Sequence, residues 1–211
     1  MGAVAELRRQ LKQIIAGGIA LMVVPGALTG CVSGAPDDAG TPTPVVPRAS
    51  GDPVVLEEPT SIDGAEDWET DGIVVSVPAG ADTERTEPSE GMTQIVVSMG
   101  DDADTVGVVI DATAGKVADA DVDLSTTYLK GELSRMGAVD VTATPATWGQ
   151  WPYANAIRYG AETEDGVKEA LHLISRDEAG TFTIQAVASA PDGRWDESWQ
   201  REVLASIRQA G

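Results

Sequence analysis

His172 is the one histidine in 211 residues, and it lies between Leu171 and Leu173. An imidazole could serve as a general base or a pH-sensitive contact. No Ser-His-Asp or Cys-His spacing surrounds it, so a structural or surface role is expected. Carboxylates are abundant: 34 Asp and Glu stand against 14 Lys and Arg, a formal charge of -20. Paired carboxylates, for instance Asp111 with Glu169, do acid-base work only when one is desolvated and its pKa raised. The acids here fall mainly in polar loops, which argues against a hydrolase. Asp119, Asp121 and Asp123 alternate as at the start of a calcium loop. That pattern needs Gly at its sixth position and Glu at its twelfth, where this chain has Leu124 and Lys130. A solvated loop and helix cap is the expectation, with a weak calcium site shared with Asp101 or Asp102 left open. No cofactor is expected. Trp148 and Trp151 flank a glycine in a turn. Such residues anchor a sugar, lipid or protein partner, or plug one end of a sheet. The plug is favoured, and with Tyr153 this turn is the candidate binding patch. The acidity excludes nucleic acid, whose phosphates require a basic face.

The remaining reactive group is Cys31, the only thiol, which excludes a disulfide framework and a cysteine-rich zinc site. What precedes it gives it meaning. Arg8, Arg9 and Lys12 form a basic opening, followed by an apolar run from Ile14 to Leu28. That run is shorter than the roughly twenty residues a membrane helix needs. Basic, apolar and small-residue regions in this order describe a secretory signal over residues 1–30. The Arg8-Arg9 pair is similar to a twin-arginine signal, but Leu7 precedes it, so both export routes stay open. The signal ends Leu28-Thr29-Gly30-Cys31, which resembles the lipobox of bacterial lipoproteins. The resemblance implies a diacylglyceryl group on Cys31, which becomes the mature N-terminus after cleavage. Two acyl chains give stable anchoring where one gives only marginal binding. The expected location is therefore the extracytoplasmic face of the cell membrane, held by lipid.

Residues 31–66 read as the lipidated cysteine and a disordered tether. Six of the chain's 12 prolines fall here, with Gly, Thr, Ser and Asp between them. Such a composition buries too little apolar surface to offset the entropy of ordering. The alternative is an arm packed on the domain, centred on Val54-Val55-Leu56. Residues 67–211 are expected to form one domain of α+β class.

Hydrophobic periodicity organises that domain. Strands are expected at Ile73–Val77, after an acidic loop at Gln94–Met99, and around Val106, Val108 and Ile110. Leu124, Tyr128, Leu129, Leu133 and Met136 fit one face of a helix that an Asp caps and Gly137 ends. Further strands are expected at Val139–Thr144, Tyr153–Ala161, Val167–Ser175 and Thr181–Ala188, with Asp165-Gly166 as a hairpin turn. Trp195, Trp199, Val203 and Ile207 recur every four residues, predicting a final helix with its tryptophans in the core and Arg208 in its last turn. The expectation is an antiparallel sheet of about six to seven strands covered by two helices.

This order resembles the PsbP-like fold, and within it the actinobacterial lipoprotein family LpqN. The carrying segments are Gly72–Pro78, Ser134–Gly137, Trp148–Tyr159 and Thr181–Ile207. The resemblance implies the layered fold and an extracytoplasmic lipoprotein, and it brings no catalytic residue with it. The expected function is a non-enzymatic binding or adaptor module, monomeric, for an unknown envelope protein. The alternative is a carrier of a small apolar ligand such as a lipid.

Overall fold

Alternating valines and isoleucines build the centre of an eight-stranded sheet, seen in a computed structural model that describes residues 49–59, 61–100, 105–113, 115–163 and 166–211. The signal, Leu28–Cys31, the first part of the tether, the acidic turn at 101–104 and Asp165 lie outside the described residues. The strands are β1 (Val54–Leu56), β2 (Glu66–Thr70), β3 (Ile73–Val77), β4 (Ala81–Ser89), β5 (Met92–Met99) and β6 (Thr105–Asp111). Helix α1 (Asp119–Arg135) follows, then β7 (Val139–Trp148), β8 (Ala154–Thr163), β9 (Gly166–Arg176) and β10 (Thr183–Pro191). A 3-10 turn (Trp195–Glu197), helix α2 (Trp199–Ser206) and β11 (Arg208–Gln209) close the chain.

The main sheet runs β1-β7-β8-β9-β10-β6-β5-β4, and a smaller sheet runs β11-β3-β2. Among the described residues the β1–β7 pair is parallel and the other pairs are antiparallel. Successive side chains of a strand face opposite ways, so the sheet presents two apolar faces. Ile157, Tyr159, Ala170 and Ile174 meet Val122, Leu129 and Leu133 of α1 on one face. On the other face Ala156, Leu171, Leu173, Ile184 and Ala186 meet Val203 and Leu204 of α2, with Ile73 and Val75 of the small sheet. The result is three layers in an α+β arrangement.

Several expectations are corrected. The sheet has eight strands, with three more in the small sheet, rather than six to seven. The acidic loop before Gln94 is β4, an edge strand exposed along nearly its whole length. Its sequence has no apolar alternation because its pairing with β5 is made by the backbone alone. Asp82, Glu84, Arg85, Glu87 and Pro88 blunt that edge against pairing with other chains. Val54–Leu56 belongs to the domain: β1 pairs Val54 with Ala146 and Leu56 with Trp148, and Leu56 is 1% exposed. The folded region therefore begins within the stretch that composition assigned to the tether, as the packed-arm alternative has it.

Helix α1 also turns a different face inward. Val122, Thr126, Leu129 and Leu133 are buried, whereas Leu124, Tyr128 and Met136 are exposed. Thr126 joins the buried face because its hydroxyl donates to the Val122 carbonyl at 2.7 Å and so needs no outside partner. The N-cap is Ala118, not an Asp; the Asp121 carboxylate accepts from the Ala118 N–H at 2.7 Å. Gly137 does end the helix, with φ 92°, and the Gly137 and Ala138 N–H groups reach back to the Ser134 and Leu133 carbonyls. That is the six-to-one and five-to-two pairing of a Schellman end. The final helix is broken at Ser198, whose extended backbone separates the 3-10 turn from α2. The Ser198 hydroxyl caps α2 by accepting from the Arg201 N–H at 3.2 Å. Arg208 lies beyond the helix, in β11.

Two glycines should respond oppositely to alanine. Gly131 is exposed within α1 and a Cβ there meets nothing within 4 Å, so Gly131→Ala is expected to stabilise the fold by about 0.5–1 kcal/mol. Gly180 has φ +68° and a Cβ there would stand 2.6 Å from the Val117 carbonyl oxygen, so Gly180→Ala is expected to destabilise it by more than about 1 kcal/mol. Urea unfolding of the two variants measures both.

Candidate functional site

The tryptophan turn closes one end of the sheet. Trp148 is fully buried and Trp151 is 6% exposed. Their ring centroids are 5.3 Å apart, and Trp151 meets Phe182 edge-on at 6.4 Å. An indole N–H is a donor only and needs an acceptor when buried. Trp148 Nε1 donates to the Leu204 carbonyl and Trp151 Nε1 to the Ile207 carbonyl, each at 2.8 Å. The turn is thus a plug, and its rings offer a partner almost no surface. The indoles also occupy space between α2 and the sheet that an apolar ligand would need.

Tyr153 is not grouped with the two indoles but with α1. Its hydroxyl donates to Asp123 Oδ1 at 2.8 Å, and Asn155 Nδ2 donates to the same oxygen at 2.9 Å and to Thr126 Oγ1 at 3.2 Å. Asn155 Oδ1 is buried and has no hydrogen-bond partner. Turning the amide over would set that oxygen against the Asp123 carboxylate, so the orientation is fixed by charge.

The three aspartates of the calcium-like run go separate ways. Asp119 meets Arg176 Nε at 2.7 Å, Asp121 takes the Ala118 N–H, and Asp123 takes Tyr153 and Asn155. Among the described residues no group of three or more His, Cys, Asp or Glu could hold a metal ion. Asp111 and Glu169 are not brought together either. Asp111 sits beside Thr183 and Glu169 beside Ala190, seven residues apart along β10, which is about 23 Å at strand rise.

His172 is buried on β9, with Nε2 3.1 Å from Gln185 Oε1. Burial pushes its pKa down to about 4, against the smaller upward pull of Gln185. Burial likewise pushes the Tyr159 phenol up to about 12. Burial raises the Asp177 carboxyl, but the Phe182 N–H, the Thr181 hydroxyl and the Thr181 N–H outweigh it and hold that carboxyl below its usual range.

Open clefts lie elsewhere, at places sequence reading did not single out. One of about 460 Å³ lies where β2 and the β3–β4 turn meet the start of β4, lined by Gly64, Glu66, Trp68, Pro78, Ala81 and Thr83 among others. A second, of about 400 Å³, lies between residues 58–65 and the C-terminal segment and is lined by Asp67, Ser76, Ser206 and Arg208. Arg208 is committed there: it pairs with Asp67 and Glu58 and donates to Ser76 Oγ at 3.4 Å. The Ser76 hydroxyl, donating to Asp67 at 2.8 Å, and then Arg208 hold the Asp67 carboxyl below its ordinary range against the cost of burial. A third cleft, of about 490 Å³, is lined by Lys116, Asp119, Arg176 and Glu178 at the start of α1. No sequence signal marks the first cleft: Trp68 stands between Asp67 and Glu69, but the hollow beside it forms only where separate elements meet.

No known protein family matches the chain, and no curated protein matches it. Solved structures are similar at low identity. One from Bacteroides thetaiotaomicron has 12% identity and a TM-score of 0.41, over 66% of this chain and 46% of that one. This chain thus spans about half the length of that relative. LpqN of Mycobacterium tuberculosis, involved in cell envelope biogenesis, has 15% identity and a TM-score of 0.41, over 71% of this chain and 87% of its own. The Ran-binding protein Mog1p of Saccharomyces cerevisiae has 10% identity and a TM-score of 0.36, over 67% of this chain and 88% of its own. Likenesses this distant carry no inference about partner or activity. Among the described residues no helix is long and apolar enough to cross a membrane.

The buried imidazole makes stability depend on pH. The unfolded chain takes up a proton near 6.5 and the folded chain only near 4. Stability is therefore full above the unfolded value and falls as pH drops through that window, by about 3 kcal/mol in all. Urea midpoints at pH 7 and 4.5 should show the fall, and His172→Leu should flatten it. Trp148→Phe is expected to cost about 1–3 kcal/mol at either pH, because it removes the 2.8 Å bond to the buried Leu204 carbonyl and leaves that oxygen only the longer bond from the Ile207 N–H.

Proposed function

We propose that this chain is an extracytoplasmic lipoprotein, held to the cell membrane by a diacylglyceryl group on Cys31, whose folded domain is a non-enzymatic binding or adaptor module of the cell envelope. The observation that carries the reading is the place of the single cysteine. It follows Leu28-Thr29-Gly30 at the end of a basic and then apolar leader. Small residues let an extended segment enter a peptidase cleft, and the thiol is the nucleophile that takes the lipid.

Support for a binding role comes from how the reactive groups are used. His172 is buried against Gln185, Asp111 and Glu169 stand far apart, and the three alternating aspartates each hold a different structural partner. The polar side chains considered for catalysis are thus spent on the fold. The resemblance of Gly72–Pro78, Ser134–Gly137, Trp148–Tyr159 and Thr181–Ile207 to PsbP-like and LpqN sequences fits the same reading. Its partner is a protein of the envelope, and the domain acts alone rather than as an oligomer.

Lipidation is tested in the cell that makes the protein. Intact-mass analysis of the native protein should show a chain starting at Cys31 with a diacylglyceryl group attached. Cys31→Ser should move the protein out of the lipid-modified membrane fraction. A bare thiol at position 31, or a leader left uncut, would overturn the reading.

A further inference from the structure

The cleft beside Trp68 combines an aromatic floor, apolar walls and an unpaired carboxylate. Glu66 and Trp68 are two residues apart on β2, so their side chains share a face. Trp68 is half-buried against the main core, and Val77, Pro78, Ala79 and Ala81 supply the walls. Glu66 is exposed at the rim. Among the described residues neither the Glu66 nor the Trp68 side chain makes a hydrogen bond or an ion pair. Trp148 and Trp151, by contrast, have both N–H groups bound to carbonyls.

The charge around this cleft is one-sided. Residues 57–90 hold eleven acidic side chains and one basic one, Arg85. That arginine is already engaged by Asp71 and Glu87. Arg208 of β11, in the same small sheet, is engaged by Asp67 and Glu58. The acidic excess therefore leaves the cleft in a negative field, which repels anions and concentrates cations. A cation over an indole face gains from the ring quadrupole, and more when partly desolvated. A guanidinium suits this geometry better than an ammonium because it is planar, stacks on aromatic faces and is weakly hydrated.

We propose that this cleft docks an arginine side chain of a basic protein segment, stacked on Trp68 and paired with Glu66. The proposal rests on reading the domain as a binding module and names the surface and the partner chemistry. The apolar walls hold the methylene stem, and the open acidic rim receives the flanking residues of the segment. Rim carboxylates steer the encounter, so association weakens as salt shortens the Debye length.

The test uses the full chain purified in a non-ionic detergent and a fluorescein-labelled peptide of alternating arginine and glycine. A matched peptide with citrulline in place of arginine keeps the shape and removes the charge. Binding of the arginine peptide is expected, weakened about tenfold in the citrulline peptide. Trp68→Ala and Glu66→Gln should each weaken it by about three- to tenfold. Because Trp68 also packs on the core, Thr83→Lys serves as a second variant: it sets a cation on the exposed rim, leaves Trp68 in place, and should weaken binding comparably. Glu162→Gln, on the far end of β8, should change it less than about twofold. No binding, equal binding of the citrulline peptide, or an equal loss in Glu162→Gln would overturn the cleft as the site. Turnover of an envelope extract by the same preparation would overturn the binding-module reading beneath it, and is scored separately.

Discussion

Two indole N–H bonds hold the ends of this domain together. Trp148 and Trp151 lie in the turn between β7 and β8, and their acceptors are the carbonyls of Leu204 and Ile207, 56 residues further along the chain. The last carbonyls of a helix lack their usual partners; Leu204 has a 3.4 Å bond from the Ile207 N–H, and the Trp148 indole adds a shorter one. The paired indoles exclude water at the same time. Once α2 is fixed, the chain passes directly into β11, which pairs with β3 and orients the small sheet. Ile73 and Val75 of that sheet then complete the same core that the indoles enter. The tryptophan turn therefore acts at a distance: it sets where β2, and with it Trp68, stands relative to β4.

The two faces of the main sheet are finished differently. On the α2 side the filling is mainly apolar, and among its polar side-chain atoms are the indole N–H groups and the Ser206 hydroxyl, which donates to the Val203 carbonyl and accepts from the Ser76 N–H. On the α1 side a polar cluster of Tyr153, Asp123, Asn155 and Thr126 lies among aliphatic residues. Burying such groups is costly unless they are paired, and the pairing fixes the register of α1 against β8. Apolar contacts alone would tolerate a slide of the helix along the sheet; this cluster tolerates none. The same demand explains why Asp123 serves the fold and is not free to bind an ion.

Charge follows the layers as well. The acidic side chains that surround the small sheet are placed where no helix covers them. Their few basic neighbours tie strands to one another: Arg85 holds β4 to the turn after β2, and Arg208 holds β11 to β2. Internal ion pairs thus use up the cations and leave surplus anions outward. A solvated negative surface keeps the domain soluble, and around Trp68 it adjoins a hollow.

The sequence by itself determined the strands whose apolar residues alternate, such as Val106, Val108 and Ile110, and the close of α1 at Gly137. In each the local pattern and the tertiary demand coincide, because one face meets the core or one residue must adopt positive φ. The proposed leader and its cysteine rest on the sequence alone, since they lie outside the described residues. Tertiary structure decided what lacks local pattern. The strand β4 is held by backbone pairing, which side-chain periodicity does not report. Val54–Leu56 is ordered by the edge of β7, whose position depends on residues far away. The inward face of α1 departs from the apolar pattern because the Thr126 hydroxyl finds its partners inside, in the Val122 carbonyl and the Asn155 amide, while Leu124 and Tyr128 find no layer to cover them. The cleft at Trp68 could not be seen beforehand, since it exists only where two sheets and a turn meet, and a hollow between elements has no signature in any one of them.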